Sequence, residues 1–329
     1  MLLHKKGITM KKILAAIAPV IALALLAAPA DAQYPNKPVK VVVQFPAGGA
    51  ADTIMRIIAQ PLAQALGQPV VVENRPGADG AIAADVVMKS PPDGYTLFMA
   101  TSSAMSAVPA MRKVPPYDPV AAFTPITKVG TFSYFLFTHP SVPAKTVAEL
   151  IDYIRANPGT LNYAGATTTG IMAAVQFAGF AKLDMVRVPY KGESPATIDV
   201  MSGLVNLMFA TPTNALGPAK EGRLRVLATL LPQRSPAAPE APTMAASGAP
   251  SLFVVPWAGF FGPAKLPPDI VARLNRELTT ILKRPEVREQ IARQGFEVQS
   301  STPEELAAYT KQQLEVWRSA VRDSGMPLE

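Results

Sequence analysis

The chain has 329 residues, no cysteine, two histidines and a formal net charge of +7 at pH 7. Lacking cysteine, it has no disulfide frame, thiolate metal site, cysteine nucleophile or lipidated N-terminus. His139 is the one histidine beyond the N-terminal segment, which leaves little from which to build a Ser-His-Asp triad or a zinc site. In "FTHP" it reads as a strand-end residue, and neither a metal nor a cofactor is expected.

Lys11 and Lys12 precede the apolar run "ILAAIAPVIALALLAA", and "ADA" at Ala30 to Ala32 has the small-x-small form of a leader-peptidase site. The run is short for a membrane span and contains Pro19. Residues 1–32 therefore read as an export signal, with Gln33 as the mature N-terminus in a periplasm or secreted space. Setting aside Lys5, Lys6, Lys11, Lys12 and Asp31 leaves 27 basic and 23 acidic residues. That dispersed excess has no basic tract of the kind that binds nucleic acid. The remaining length corresponds to two compact units.

Beyond the signal, apolar strands alternate with helical segments, the pattern of an α/β protein with mainly parallel sheets. "VKVVVQF" is the first strand, its β-branched run continuous as in a strand covered on both faces. A helix over "ADTIMRIIAQPLAQALG" follows, which Pro61 should kink or break. The strand "QPVVVENRPG", the helix "AIAADVVMKS" and the strand "PPDGYTLFMAT" complete a βαβαβ unit. A Pro-rich stretch follows, and the aromatic run Phe132 to Phe137 reads as one buried strand leaving that unit. "TVAELIDYIRANPG" has a Thr146 cap and Glu149 at capping-box distance, so it starts a helix. "TLNYAGATTTGIMAAVQFAGFA" repeats the order of strand, small-residue loop and helix. "MVRVPYKG", "LVNLMFATPTNAL" and "LRVLATL" read as further strands, and "VVPWAGFFGPA" as one ending at Pro263. The rest is helical around a short strand, "GFEVQSS".

The loop "FPAGGAAD" lies between a strand end and a helix start, where several backbone N–H groups have no helical acceptor. Those donors and the positive helix end form a site for a carboxylate or phosphate. Gly48 and Gly49 permit close approach, Ala47, Ala50 and Ala51 keep the mouth open, and Asp52 is positioned to cap the helix through its side chain. Thr101, Ser102 and Ser103 follow the third strand at the same sheet end, where open α/β sheets bind ligands. "AGATTTG", Ala164 to Gly170, offers equivalent donors from the second unit. The phosphate-binding, nucleophile-elbow and zinc-protease motifs G-x-x-x-x-G-K-[ST], G-x-S-x-G and H-E-x-x-H are all missing, which argues against an enzyme. "GADGAIA" follows a turn and lacks the strand context of a dinucleotide loop.

The segments "YPNKPVKVVVQFPAGGAAD", "LGQPVVVENRPGADGAIAADVV", "PPDGYTLFMA", "YDPVAAFTPIT", "VPYKGESPA", "GRLRVLA" and "WAGFFGPA" stand in an order that resembles the substrate-binding proteins of tripartite tricarboxylate transporters, the Bug family. "ENRPGA", "PDGYTL" and "VPYKG" together are far more specific than one glycine loop. The resemblance implies a type II-like two-domain periplasmic binding protein joined by two crossover strands, with domain 1 over 33–135 and 258–329 and domain 2 over 136–257. It implies a monomer, a small carboxylate ligand (a di- or tricarboxylate, an acidic amino acid or an aromatic acid) and membrane permease subunits as partners. Carried over by position, Ala47, Gly48, Gly49 and Asp52 form the anion loop, Thr101, Ser102 and Ser103 extend it, and Thr167, Thr168, Thr169 and the segment near Tyr190 face them. Two departures stand out: "AGATTTGIMAAVQF" lacks the His and Glu usual after the family's second loop, and Ala210 stands where an Asp is common. An alternative role is ligand-dependent signalling to a membrane sensor kinase, which uses the same closed form.

Overall fold

The computed structural model describes residues 34–249, 255–326 and 328. The expected export signal and its cleavage site lie outside the described residues. The strand β1 (Val39–Val43) is buried along almost its whole length, as its β-branched run requires. It leads into α1 (Ala50–Leu66), β2 (Val70–Asn74), α2 (Ala81–Met88) and β3 (Thr96–Thr101), the expected βαβαβ unit, and then into the short α3 (Val108–Met111). α1 continues through the buried Pro61 to a left-handed Gly67 at its C-terminus, so the missing N–H costs one bond and not the helix.

β4 (Phe123–Phe132) and β5 (Phe135–Thr138) divide the aromatic run that reads in sequence as one strand. The break falls at Ser133 and Tyr134, where the chain passes from one sheet to the other. The second sheet then collects α4 (Val147–Ala156), β6 (Asn162–Gly165), α5 (Thr168–Ala181), β7 (Val186–Pro189), α6 (Glu193–Ser202), β8 (Leu207–Ala210), α7 (Leu216–Lys220) and β9 (Arg225–Thr229). β10 (Trp257–Pro263) returns to the first sheet, followed by α8 (Pro268–Lys283), α9 (Pro285–Ala292), β11 (Phe296–Val298) and α10 (Pro303–Ser324).

The first sheet has the order β11-β4-β10-β3-β1-β2 and the second β7-β6-β8-β5-β9. Both are mixed, which corrects the expectation of mainly parallel sheets. β1 pairs in parallel with β2 and β3, but β10 is antiparallel to β3 and β4. In the second sheet β6 is parallel to β7 and β8, whereas β5 is antiparallel to β8 and β9. The reason is topological. β1, β3, β6 and β8 end at the side where the chain crosses between sheets, so the crossing strands β5 and β10 start there and run the other way.

Trp257, Phe98 and Phe261 pack beneath the first sheet's helices, and Phe177, Phe209 and Leu136 fill one face of the second. Burying each side chain of this size contributes about 1.5–3 kcal/mol. The long α10 ties the sheets together: its Leu314, Trp317 and Val321 share an apolar cluster with Met111 and with Met172 of α5. It starts in a full capping box between Thr302 and Glu305. At α4 the cap is less symmetrical. Thr146 accepts from the Glu149 amide as expected, but Glu149 reaches past Thr146 to the Lys145 amide.

Gly130 lies where β4 is paired on both sides, with φ +152° and its missing Cβ directed at the Glu297 carbonyl of β11. A side chain there must push β11 off the sheet edge. Gly130→Ala is predicted to lose about 2–4 kcal/mol of unfolding free energy in a urea titration. Wild-type stability in that variant would show that β11 contributes nothing to the sheet.

Candidate anion-binding cavity

Beyond Val43 the chain leaves β1 through Gln44 and turns at Gly48, whose φ of +78° suits glycine, before α1 begins after Gly49. Gly49 has no side chain with which to cap the helix. Asp52, in the first turn, turns its side chain back as expected from sequence, but onto the Gly48 amide just outside the helix and not onto a helical one. Its carboxylate accepts from the Gly48 amide at 2.9 Å, from Asn74 Nδ2 at 2.9 Å and from Arg56 Nε at 2.9 Å. Asn74 also donates to the Phe45 carbonyl at 2.9 Å, so β2 grips the loop at a second point. Burial alone would raise the Asp52 pKa, but the hydrogen bonds from Arg56, Gly48 and Asn74, with the Arg56 charge, outweigh it and hold the acid below its usual value.

This pinning decides which amides remain. The Gly48 amide is spent on Asp52 and the Gly49 amide on the Pro46 carbonyl at 3.3 Å. The next two, Ala50 and Ala51, are the first of a 17-residue helix, line a cavity and find no acceptor among the described residues.

Gln44 supplies the next support. Its Oε1 accepts from the Thr101 amide at 3.0 Å and its Nε2 donates to the Asp79 carbonyl at 3.3 Å, locking the end of β3 to the "GADG" turn. Thr101, Ser102 and Ser103 are thereby buried at the cavity floor. The Ser102 hydroxyl has no protein partner among the described residues, an arrangement that costs free energy unless water or a ligand supplies one.

The opposite wall comes from the second sheet. Thr167 caps α5 by accepting from the Gly170 amide at 3.1 Å, and its hydroxyl also meets Tyr134 Oη at 2.8 Å. Tyr134 Oη donates to Glu193 Oε1 at 3.1 Å. Glu193 Oε2 accepts from the Thr211 amide at 3.2 Å and from the Thr211 hydroxyl. Burial, helped by the Glu193 charge, pushes the Tyr134 phenol well above its usual range, so it remains a donor. Burial also raises Glu193, against hydrogen bonds from Thr211 and Tyr134 that favour its charged form. The cavity offers about 50 Å³ of free space, with Phe45, Pro46, Phe132 and Pro256 as its apolar walls.

Several contacts join the two sides. Thr168 Oγ1 donates to Ser103 Oγ at 2.7 Å, Asn214 Nδ2 donates to the Gly48 carbonyl at 3.1 Å, and Gly192 lies against Pro46. The cleft is therefore closed. Among the described residues, no group of three His, Asp or Glu side chains is arranged to hold a metal.

Over residues 54–326 the chain matches the model of the tripartite tricarboxylate transporter family receptor. The chain belongs to that family. It is 35% identical to BugT of Bordetella pertussis over 327 residues, which is 97% of this chain and 99% of BugT. It superimposes on the periplasmic binding protein BugD with a TM-score of 0.85 and 30% identity, covering 89% of this chain and 99% of BugD. MatC from Rhodopseudomonas palustris with bound malate gives a TM-score of 0.82 at 30% identity, covering 88% of this chain and all of MatC.

Of the residues expected at the site in this family member, Gly49, Thr101, Ser102, Ser103, Thr167 and Thr169 line the cavity. The others lie outside its lining. Ala47 and Gly48 form the exposed outer edge of the loop, and Asp52 stands behind it. Thr168 spends its hydroxyl on Ser103, and Tyr190 turns away to donate to Asp199 at 2.7 Å. Ala210 is buried in the core between β8 and α6. Tyr134, Glu193 and Thr211 were not legible from the family pattern. Glu193 did carry a signal, since "GES" at the start of α6 has the same glycine-to-helix form as "GGA".

Two outcomes follow from these contacts. Ionised Asp52 has a folded-state pKa below its ordinary 3.8, so its stabilisation is complete above about pH 4 and is lost as pH falls through the lower, folded value. Asp52→Asn is predicted to cost about 1–3 kcal/mol at pH 7, with the gap to wild type closing on acidification below pH 4. A gap independent of pH would contradict the ionic role. Ser102→Ala should leave the stability of the ligand-free protein unchanged or slightly higher while weakening ligand binding about tenfold. Equal affinities by calorimetry would show that the hydroxyl serves no ligand.

Proposed function

We propose that the protein is the periplasmic substrate-binding component of a tripartite tricarboxylate-type transporter, capturing a small carboxylate and delivering it to a membrane permease. The observation that carries this reading is the pair of helix starts lining one closed cavity, α1 at Ala50 and Ala51 and α5 at Thr169 beside its Thr167 cap, next to the Ser102 hydroxyl, which has no protein partner among the described residues. Aligned backbone amides carry about half a positive charge at a helix start and hold an anion without a charged side chain. The bound malate in MatC supports a carboxylate as the ligand type. The signal-like residues 1–32 support export, with Gln33 as the mature terminus.

Binding on this reading requires no acid, base or nucleophile. The apolar walls exclude water, and in that dry space each amide counts for more than it would in solvent. The cross-cleft contacts at Ser103 and Gly48 form only when the two sheets approach, so ligand capture and closure are one event. The closed surface is then what a permease recognises.

The test is a thermal-shift screen of the protein after unfolding and refolding to strip retained ligand. Aliphatic di- and tricarboxylates, acidic amino acids and aromatic acids are each set beside the matching amide. A ligand at one hundred times its Kd adds about 2.7 kcal/mol to the native state, so an acid should raise the melting temperature and its amide should not. Equal shifts with acid and amide would overturn carboxylate capture.

A further inference from the structure

We infer that Glu193 is a specificity-determining residue: the end of the ligand opposite its captured carboxylate carries a hydrogen-bond donor or a cation, not a second carboxylate. The inference rests on the carboxylate-binding function proposed above and narrows its ligand class.

Three helices begin at the cavity, α1 after Gly49, α5 after Thr167 and α6 after Gly192. Each start is a potential anion site. At α6 the first residue, Glu193, is itself an acid that lines the cavity and takes its hydrogen bonds from Tyr134 and Thr211. The ligand carboxylate is therefore left to the starts of α1 and α5.

The partners of that carboxylate suit its ionised form. The Thr211 amide is a fixed donor to Glu193, and the Thr211 and Tyr134 hydroxyls lie within hydrogen-bonding reach of it. With Glu193 ionised, Tyr134 gives it its one phenolic proton, so in the Tyr134 to Thr167 contact it is Thr167 that donates. Every group in the chain Thr167, Tyr134, Glu193, Thr211 is then satisfied. An ionised carboxylate has about four acceptor sites, and three are used. The remaining one is on Oε1, which has Tyr134 alone.

Among the described residues, no Lys, Arg or His lines the cavity. A second ligand carboxylate beside Glu193 would set two like charges together in a low-dielectric space, which one of them would have to escape by protonation. An ammonium, amide or hydroxyl would instead complete the acceptor set. A cation there would also offset the burial that now raises the Glu193 pKa.

The experiment is calorimetric titration of the stripped protein with acids matched in length: 4-aminobutanoate, 4-hydroxybutanoate and glutarate, then 5-aminopentanoate and adipate. The amino or hydroxy acid is expected to bind at least about tenfold more tightly than the dicarboxylate of the same chain. In Glu193→Gln, checked for folding by circular dichroism, that preference should shrink below about threefold or reverse. A wild-type preference for the dicarboxylate overturns the inference and leaves the proposed function standing. So does a preference that survives unchanged in the variant. Failure of every acid in the thermal screen and here overturns both. The wild-type comparison decides the matter alone if the variant does not fold.

Discussion

A helix cannot satisfy its own first amides, and the two sheets of this protein bring three helix starts, at Gly49, Thr167 and Gly192, to one cavity. Most soluble proteins expose such groups to water or cap them with a side chain. Here the cap at α5 is Thr167, at α1 it is replaced by Asp52 acting from behind, and at α6 the first residue is itself an acid. On the proposed reading, the site's attraction for anions is built from backbone, with side chains deciding which amides are left over.

Asp52 illustrates how stability and function share one network. Its carboxylate joins α1 to β2 through Asn74 and spends the Gly48 amide, which removes that donor from the ligand's reach while fixing the two behind it. Gln44 does the same for β3, holding the Thr101 amide and the Asp79 carbonyl together so that Ser102 and Ser103 are presented in fixed positions. Preorganisation of this kind lowers the ordering cost on binding. The opposite wall is equally constrained by the chain from Thr167 through Tyr134 and Glu193 to Thr211. Tyr134 lies in the short link between β4 and β5, so the crossing between sheets and the cavity wall are the same residues.

Much of this was legible in the sequence because the physics is local. The β-branched run of β1, the glycine-containing loop before α1, and the Thr and Ser clusters after β3 and β6 each announce a strand end facing a helix start. The mixed sheets were not legible, because strand direction at β5 and β10 is set by the path between sheets and not by residue type. The split of the aromatic run at Ser133 and Tyr134 escaped for a related reason: continuous burial looks alike whether the strands belong to one sheet or two. Ala210 precedes the cavity-lining Thr211, but its own side chain points into the core, and Tyr190 is directed to Asp199. Tyr134 and Thr211 became visible only when chain segments distant in sequence met around Glu193.

The most direct test is a crystal structure of the protein saturated with its tightest-binding acid. The account predicts a ligand carboxylate within hydrogen-bonding distance of the Ala50 and Ala51 amides and of Ser102 Oγ, with the apolar walls closed over it. A ligand held elsewhere, or in this cavity with those amides facing water, would contradict it.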